Sequence, residues 1–334
     1  MPDPPDTPSP KSPTEAEASE PLAMTVDPCL VPILEHMHGS QPPLRSMTPQ
    51  EARAAVANFP RPKNPRTTVA EVRELEIPGP ASSIPARLYL PDPENRLPLA
   101  IAFHGGGWVV GDLDGFDSEA RLIAAGAHCN VLSIDYRLAP EDPFPAAVED
   151  AFASIKWASE HADDLQSDGR NLALVGMSAG GNIAAAAAIM ARDHGIPGIR
   201  HQLLVYPVLD SDIDRPTMHA FSEGLVLERE DMKWFWNLYC PDLEARKDFR
   251  ATPINARSLA GLPTTYLALA ALDPLLDEAL DYGSRLKAAE VHTEIRVAPG
   301  LIHGFFSYGP ICPAAADEVQ RAIDALRASI HGNH

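Results

Sequence analysis

The chain has 334 residues and is 45% hydrophobic, enough for one large domain with a sizeable core. Its formal net charge of −19 repels phosphate backbones and anionic bilayers, which argues against nucleic acid and acidic membrane surfaces as partners. No apolar run reaches the roughly 18 residues of a membrane span. The opening MPDPPDTPSPKSP also has neither the basic nor the apolar segment of a secretory signal, so stable membrane insertion is not expected and the expected compartment is the cytoplasm.

Residues 1–20 are rich in Pro, Asp, Glu and Ser without a hydrophobic period, and are expected to form a disordered tail. Residues 21–66 are expected to supply N-terminal cap helices. Apolar side chains recur at helical spacing over 27–38. A second helix opens at Thr48, where Pro49 at the first helical position and Glu51 at the third complete a capping box. From about residue 67 to the end the texture is α/β. VAEVRELEI and IPARLYL are predicted strands joined by a Pro/Gly/Ser turn. LAIAFH, VLSIDY, LALVG, LLVYP, TYLALAAL and TEIRVAP are short apolar runs separated by predicted helices at 117–128, 146–161, 179–192 and 277–289, with a last helix over 314–330. That alternation predicts a mostly parallel sheet covered by helices on both faces. An insertion at about 210–245 carries a predicted helix over 228–239 and reads as the second part of a cap. The four cysteines (29, 129, 240 and 312) are far apart and include no CxxC pair, so they read as buried thiols rather than disulfides or a zinc site. Asp210, Asp212 and Asp214 form an acidic run without nearby histidines and read as a solvated loop; no metal site is expected.

Four elements carry chemistry. Gly176-Met177-Ser178-Ala179-Gly180 is GxSxG between an apolar strand and an Ala-rich helix, the setting of a nucleophile elbow. The turn aims the hydroxyl out of the sheet at a helix N-terminus, where a developing anion is favoured. His104-Gly105-Gly106-Gly107-Trp108 follows the strand LAIAF. Glycines let the backbone approach an oxyanion closely, so Gly106 and Gly107, with Ala179, are the expected N–H donors, while His104 braces the loop. His303 follows the last strand, at the carboxyl edge that Ser178 also occupies, and is the expected base. Asp273 follows TYLALAAL at that same edge and is preferred over Asp277, whose place in the first helical turn suits capping. The order Ser…Asp…His is that of an α/β-hydrolase.

HGGGW at 104–108, DYRLAPEDPFPAAVEDA at 135–151, GMSAGGN at 176–182, DPLLDE at 273–278 and HGF at 303–305 together resemble the bacterial hormone-sensitive-lipase-like esterases, family IV of the carboxylesterases. The resemblance implies an α/β-hydrolase fold with a mostly parallel sheet and a helical cap built from the N-terminal arm and the insertion after the sixth strand. It implies hydrolysis of small-molecule esters with short or medium acyl chains, no cofactor, catalytic roles for Ser178, Asp273 and His303, and a homodimer formed through the edge strand TEIRVAP. Met177, Leu276 and Asp142 depart from the family's usual residues. Asp135, Arg137 and Glu141 read as a bracing polar network. Trp108, Met177, Phe221, Leu225, Trp234 and Phe305 are the expected substrate contacts, in a compact apolar pocket to which Phe235 and Trp236 of the cap also belong. An arylformamidase or other amidase working on the same triad, and a non-catalytic receptor on the same fold, are the competing readings.

Overall fold

Apolar runs too short for helices have no way to satisfy their backbone groups except by pairing, and here they pair into one eight-stranded sheet. The structure, a computed structural model, describes residues 25–40, 42–59 and 67–332. The expected disordered tail at 1–20 lies outside them. β1 (Glu71–Pro78) and β2 (Ser83–Leu90) form an antiparallel hairpin, and β2 runs antiparallel to β4. β3 (Leu97–Phe103), β4 (Asn130–Ile134), β5 (Ser167–Met177), β6 (Ile199–Val205), β7 (Thr264–Leu272) and β8 (Thr293–Ile302) are mutually parallel. The strand order is β1-β2-β4-β3-β5-β6-β7-β8, which puts β8, the expected edge strand, at the edge.

The helices are α1 (Val31–Ser40), α2 (Pro49–Ala57), α3 (Asp117–Ala127), α4 (Ala146–Glu160), α5 (Ala179–Asp193), α6 (Pro216–Ala220), α7 (Arg229–Tyr239), α8 (Leu276–Ala288) and α9 (Pro313–His331). Side chains alternate across a strand. On β3, Leu99, Ile101 and Phe103 therefore enter the core under α4, α5 and α8, while Ala100 and Ala102 face the core under α3 and α9. The Ala-rich face of α5 fits against the larger strand residues. Both faces of β3 and β4 are buried throughout, which is why their sequences read as unbroken apolar runs.

β3 lies between β4 and β5, so the chain leaves β3 toward one side and returns on the other. The crevice at such a switch, outside the carboxyl ends of the strands, is where an α/β sheet can hold a ligand. Over it lie two further pieces. The first is the arm, where Thr48 and Glu51 form the expected capping box at the start of α2. The helix expected over 27–38 begins only at Val31, because residues 28–30 make a turn closed by Leu30 N–H to Asp27 O. The second is the segment between β6 and β7, which carries α6 and α7. Arg45 of the arm donates to Glu228 and to Asp231 of this segment, each at 2.8 Å. Arg53 of α2 donates to Val109 O, Ala139 O and Glu141.

Candidate active site

β5 and α5 meet at Ser178, whose backbone is held at φ 55°, ψ −119°. The approach of α5 to β3 is close enough that a Cβ on Gly180 would stand 2.1 Å from the Phe103 carbonyl oxygen. A side chain is impossible there, and the second glycine of GxSxG follows from that contact. β8 delivers His303 and β7 delivers Asp273 to the same edge. His303 Nε2 lies 2.9 Å from Ser178 Oγ, and Nδ1 lies 2.8 Å from Asp273 Oδ2. Asp273 is 1% exposed and His303 8%. The other Asp273 oxygen accepts the Leu275 N–H at 2.9 Å, which fixes the carboxylate's orientation. A carboxylate only accepts, so Nδ1 carries the imidazole proton and Nε2 presents its lone pair to the serine hydroxyl.

The loop after β3 passes directly beside this serine: a Cβ on Gly105 would come within 3.4 Å of Ser178 Cβ. Among the described residues, the N–H groups of Gly106 and Gly107 donate to no protein acceptor, and Ala179 opens α5 next to them. His104 stacks on Tyr136 with ring centroids 4.4 Å apart, and Tyr136 Oη donates to the His104 carbonyl at 2.8 Å. His104 thus stands where a brace for the loop is needed.

A cavity of about 480 Å³ opens over Ser178 and His303. Of the expected substrate contacts, Met177 and Leu225 line it. Trp108, Phe221, Trp234 and Phe305 do not. Trp108 is fully buried and stacks on Tyr239 at 4.2 Å, so it anchors the glycine loop from behind. Phe305 packs edge-on against Tyr206, and Phe221 is buried in the core below. Trp234, Phe235 and Trp236 are consecutive on α7, and helical neighbours point about 100° apart. Phe235 alone of the three faces the cavity; Trp236 is fully buried against Trp108, and Trp234 is half-buried.

Two side chains, Tyr206 and Glu119, were not anticipated from sequence, and neither were the residues by which the expected cap arm reaches the cavity. Tyr206, at the carboxyl end of β6, packs its ring 4.5 Å from the His303 imidazole and donates to Met177 Sδ. Burial pushes its phenol well above the ordinary value, so it remains a donor. Its position on the shared sheet edge was the available signal. Glu119 of α3 lines the cavity and accepts from Ser307 Oγ at 2.5 Å. The arm contributes Met37, Leu44, Val56 and Phe59 to the wall.

A family model described as the alpha/beta hydrolase fold matches residues 100–307. The chain is 40% identical over 275 residues to the esterase LipI of Mycobacterium tuberculosis, covering 81% of this chain and 86% of LipI. It is 42% identical to the carboxylic ester hydrolase LipN of the same organism, covering 78% and 71%. The chain belongs to the α/β-hydrolase family of carboxylesterases. A solved thermostable esterase from Pseudomonas putida superposes on this esterase with a TM-score of 0.88 at 32% identity, over 92% of this chain and 99% of that one.

In this esterase the departures from the family pattern have local explanations. Met177 supplies a buried sulfur to the Tyr206 hydroxyl. Leu276 packs on the core at the start of α8. Asp142 lies 3.5 Å from Arg137. The expected bracing network is made by Arg137 with Asp150 and by Glu141 with Arg53. Asp135 stands apart from it, since among the described residues its carboxylate accepts no hydrogen bond; it faces a second cavity beside Asp112 and Asp114. The acidic run is not simply solvated: Asp210 pairs with Arg215 and Asp214 with Arg229. Among the described residues no helix is long and apolar enough to cross a membrane.

Proposed function

We propose that this esterase cleaves uncharged carboxylic esters of short to medium chain length through an acyl-enzyme on Ser178. The observation that carries the reading is the unbroken relay from Asp273 through His303 to Ser178 Oγ. In the forward step His303 Nε2 takes the hydroxyl proton as Oγ attacks the ester carbonyl carbon. Asp273 keeps the imidazole in the required tautomer and stabilises the imidazolium without taking its proton. The carbonyl oxygen becomes an alkoxide stabilised by the Gly106, Gly107 and Ala179 N–H groups. His303 then protonates the leaving alcohol. Water repeats the sequence on the acyl-enzyme and frees the acid. Glu119, Asp112, Glu228 and Asp231 border the cavity, against Arg45 as the one lining arginine or lysine among the described residues, so a substrate carrying its own carboxylate would meet repulsion. The arm and the segment between β6 and β7 act together as the cap.

The test is Ser178→Ala. It should leave thermal unfolding unchanged and lower turnover of p-nitrophenyl butyrate by about 10⁴ to 10⁶. An organophosphate should add one covalent adduct to the wild type and none to the variant. Retained hydrolysis above a few per cent would remove Ser178 from the mechanism.

The edge position of β8 supports a homodimer in which two copies of this strand pair, because an unpaired strand edge invites another chain. A monomer mass by light scattering at micromolar concentration would overturn that assembly. The proposed compartment is the cytoplasm, in keeping with the free thiols at Cys129, Cys240 and Cys312, all buried.

A further inference from the structure

Away from the catalytic cavity, the fold brings together side chains that the sequence keeps at opposite ends of the chain. Asp27, Cys29 and Cys312 each present one ligand atom, a carboxylate oxygen and two sulfurs, and all three lie within 4.8 Å of one another. Among the described residues no other three His, Cys, Asp or Glu side chains converge this closely. Spacing along the sequence gave no sign of it, because neither cysteine has a partner nearby in the chain.

Both halves of the cluster are seated by contacts of their own. Asp27 N–H donates to the Gly300 carbonyl at 2.8 Å, and Cys29 N–H donates to Asp27 Oδ1 at 2.9 Å. Leu30, the next residue, is fully buried in the core that also holds Cys312. Cys312 is the residue before α9; its N–H donates to Tyr308 O at 2.9 Å and its carbonyl accepts from Ala316 at 3.0 Å. Cys29 is exposed and Cys312 buried, so the cluster has one dry side and one side open to water.

We propose that Asp27, Cys29 and Cys312 bind one divalent ion of the zinc class, with water in the fourth position. Two thiolates select a borderline or soft ion over magnesium or calcium, which prefer oxygen. Tetrahedral zinc, with bonds of about 2.3 Å to sulfur and about 2.0–2.2 Å to oxygen, holds its ligands roughly 3.3–3.8 Å apart. The observed separations, all within 4.8 Å, are wider than that, and Cys29, the exposed ligand, is the one with room to move inward on binding. Each thiol that becomes a ligand releases its proton, so binding liberates two protons per ion and strengthens as pH rises. The ion would pin the root of α1 to the start of α9. Because α1 carries Met37 and His38 of the cavity wall, it would also steady one side of the substrate cavity, without a part in the chemistry.

The test uses the full chain, reduced and stripped of metal with a chelator. Cadmium serves as the spectroscopic probe, since cadmium–thiolate bonds absorb in the near ultraviolet, and zinc is then used to displace it. The expected result is one cadmium per chain with a thiolate absorbance, displaced by zinc, and a higher melting temperature with either ion. Cys312→Ser and Cys29→Ser should each at least halve the absorbance at saturating cadmium and weaken binding by about 100-fold, and Asp27→Asn should keep the absorbance and weaken binding by about 10-fold; the double cysteine variant should show no thiolate band. Without metal, rates of p-nitrophenyl butyrate hydrolysis equal to those of metal-free wild type would show that each of the three variants is folded. Absence of the thiolate band overturns the proposal. So does binding that survives both cysteine substitutions, which would mark an adventitious ion held by surface histidines. A Cys29–Cys312 disulfide that persists under mild thiol reductant would also overturn it.

Discussion

Asp273 and Asp277 sit four residues apart at one helix start, yet they hold different partners. Asp273 faces His303, whereas Asp277 Oδ2 accepts the Thr217 N–H at 2.9 Å and so ties α6 to α8. Asp273→Asn should lower turnover by roughly 10⁴, because an amide at that position favours the wrong imidazole tautomer. Asp277→Asn keeps an acceptor for Thr217 and should change turnover by less than about tenfold. Steady-state kinetics on one chromogenic ester decides between them, and the reverse order of effects would exchange their roles. Asp135 offers a pH-dependent test. Burial first, and then the neighbouring Asp112, push its carboxyl up to about 6, against an opposing pull from Arg87. Between about pH 4 and pH 6 the unfolded chain has released a proton that the folded chain still holds. Stability therefore falls as pH rises through that window, and the loss persists above it. Asp135→Asn should abolish this component. The melting temperature of the variant relative to wild type should climb from pH 4 to pH 7, and a difference that does not change with pH would contradict the assignment.

Single elements show where reading a sequence by pattern succeeds and where it stops. The capping box at Thr48 was legible because its donors and acceptors lie within one turn. The Trp-Phe-Trp run on α7 was not, because composition cannot say which of three consecutive residues faces inward. Trp108 was misplaced for a related reason: its closeness in sequence to the glycine loop suggested the substrate, but a φ of 61° turns the chain so that its ring goes under α7. The arm and α7 are joined chiefly through Arg45, which serves two carboxylates at once. Removing it leaves Glu228 and Asp231 facing each other, with Asp231 already pushed upward by burial. Arg45→Met should therefore loosen the cap and raise KM for p-nitrophenyl butyrate by about fivefold, equivalent to about 1 kcal/mol after allowance for its partial exposure. kcat should change less. A fall in kcat at constant KM would instead place Arg45 in the reacting site.

At the scale of the whole molecule, the triad was readable because an α/β sheet gathers the ends of its parallel strands along one edge. Ser178, Asp273 and His303 are each the first polar residue after an apolar run, so topology alone puts them together. The cavity wall was not readable, because it is assembled from the arm, α3, α7 and the loop after β8, segments whose meeting depends on tertiary packing rather than on any local pattern. The wall found is mostly apolar, with a charged border, and finite. Each methylene buried in it contributes about 0.8 kcal/mol until room runs out. kcat/KM on p-nitrophenyl esters should consequently peak for acyl chains of roughly four to eight carbons, with dodecanoate and longer chains poor. A rate still rising at palmitate, measured without detergent, would mean that the cavity is open at its far end.

The pairing of Arg45 with Glu228 and Asp231 spans 183 and 186 residues of chain. Contacts that distant are closed late, since a long loop must be ordered before they yield anything. The arm therefore leaves the ribosome ahead of every strand, yet it finds its seat only after the sheet and α7 exist. In refolding from denaturant, the sheet should recover its signal first, and competence to hold an ester should lag behind it. During that interval Met37, Leu44, Val56 and Phe59 have no cover, and crowding is then most apt to divert the chain into aggregates.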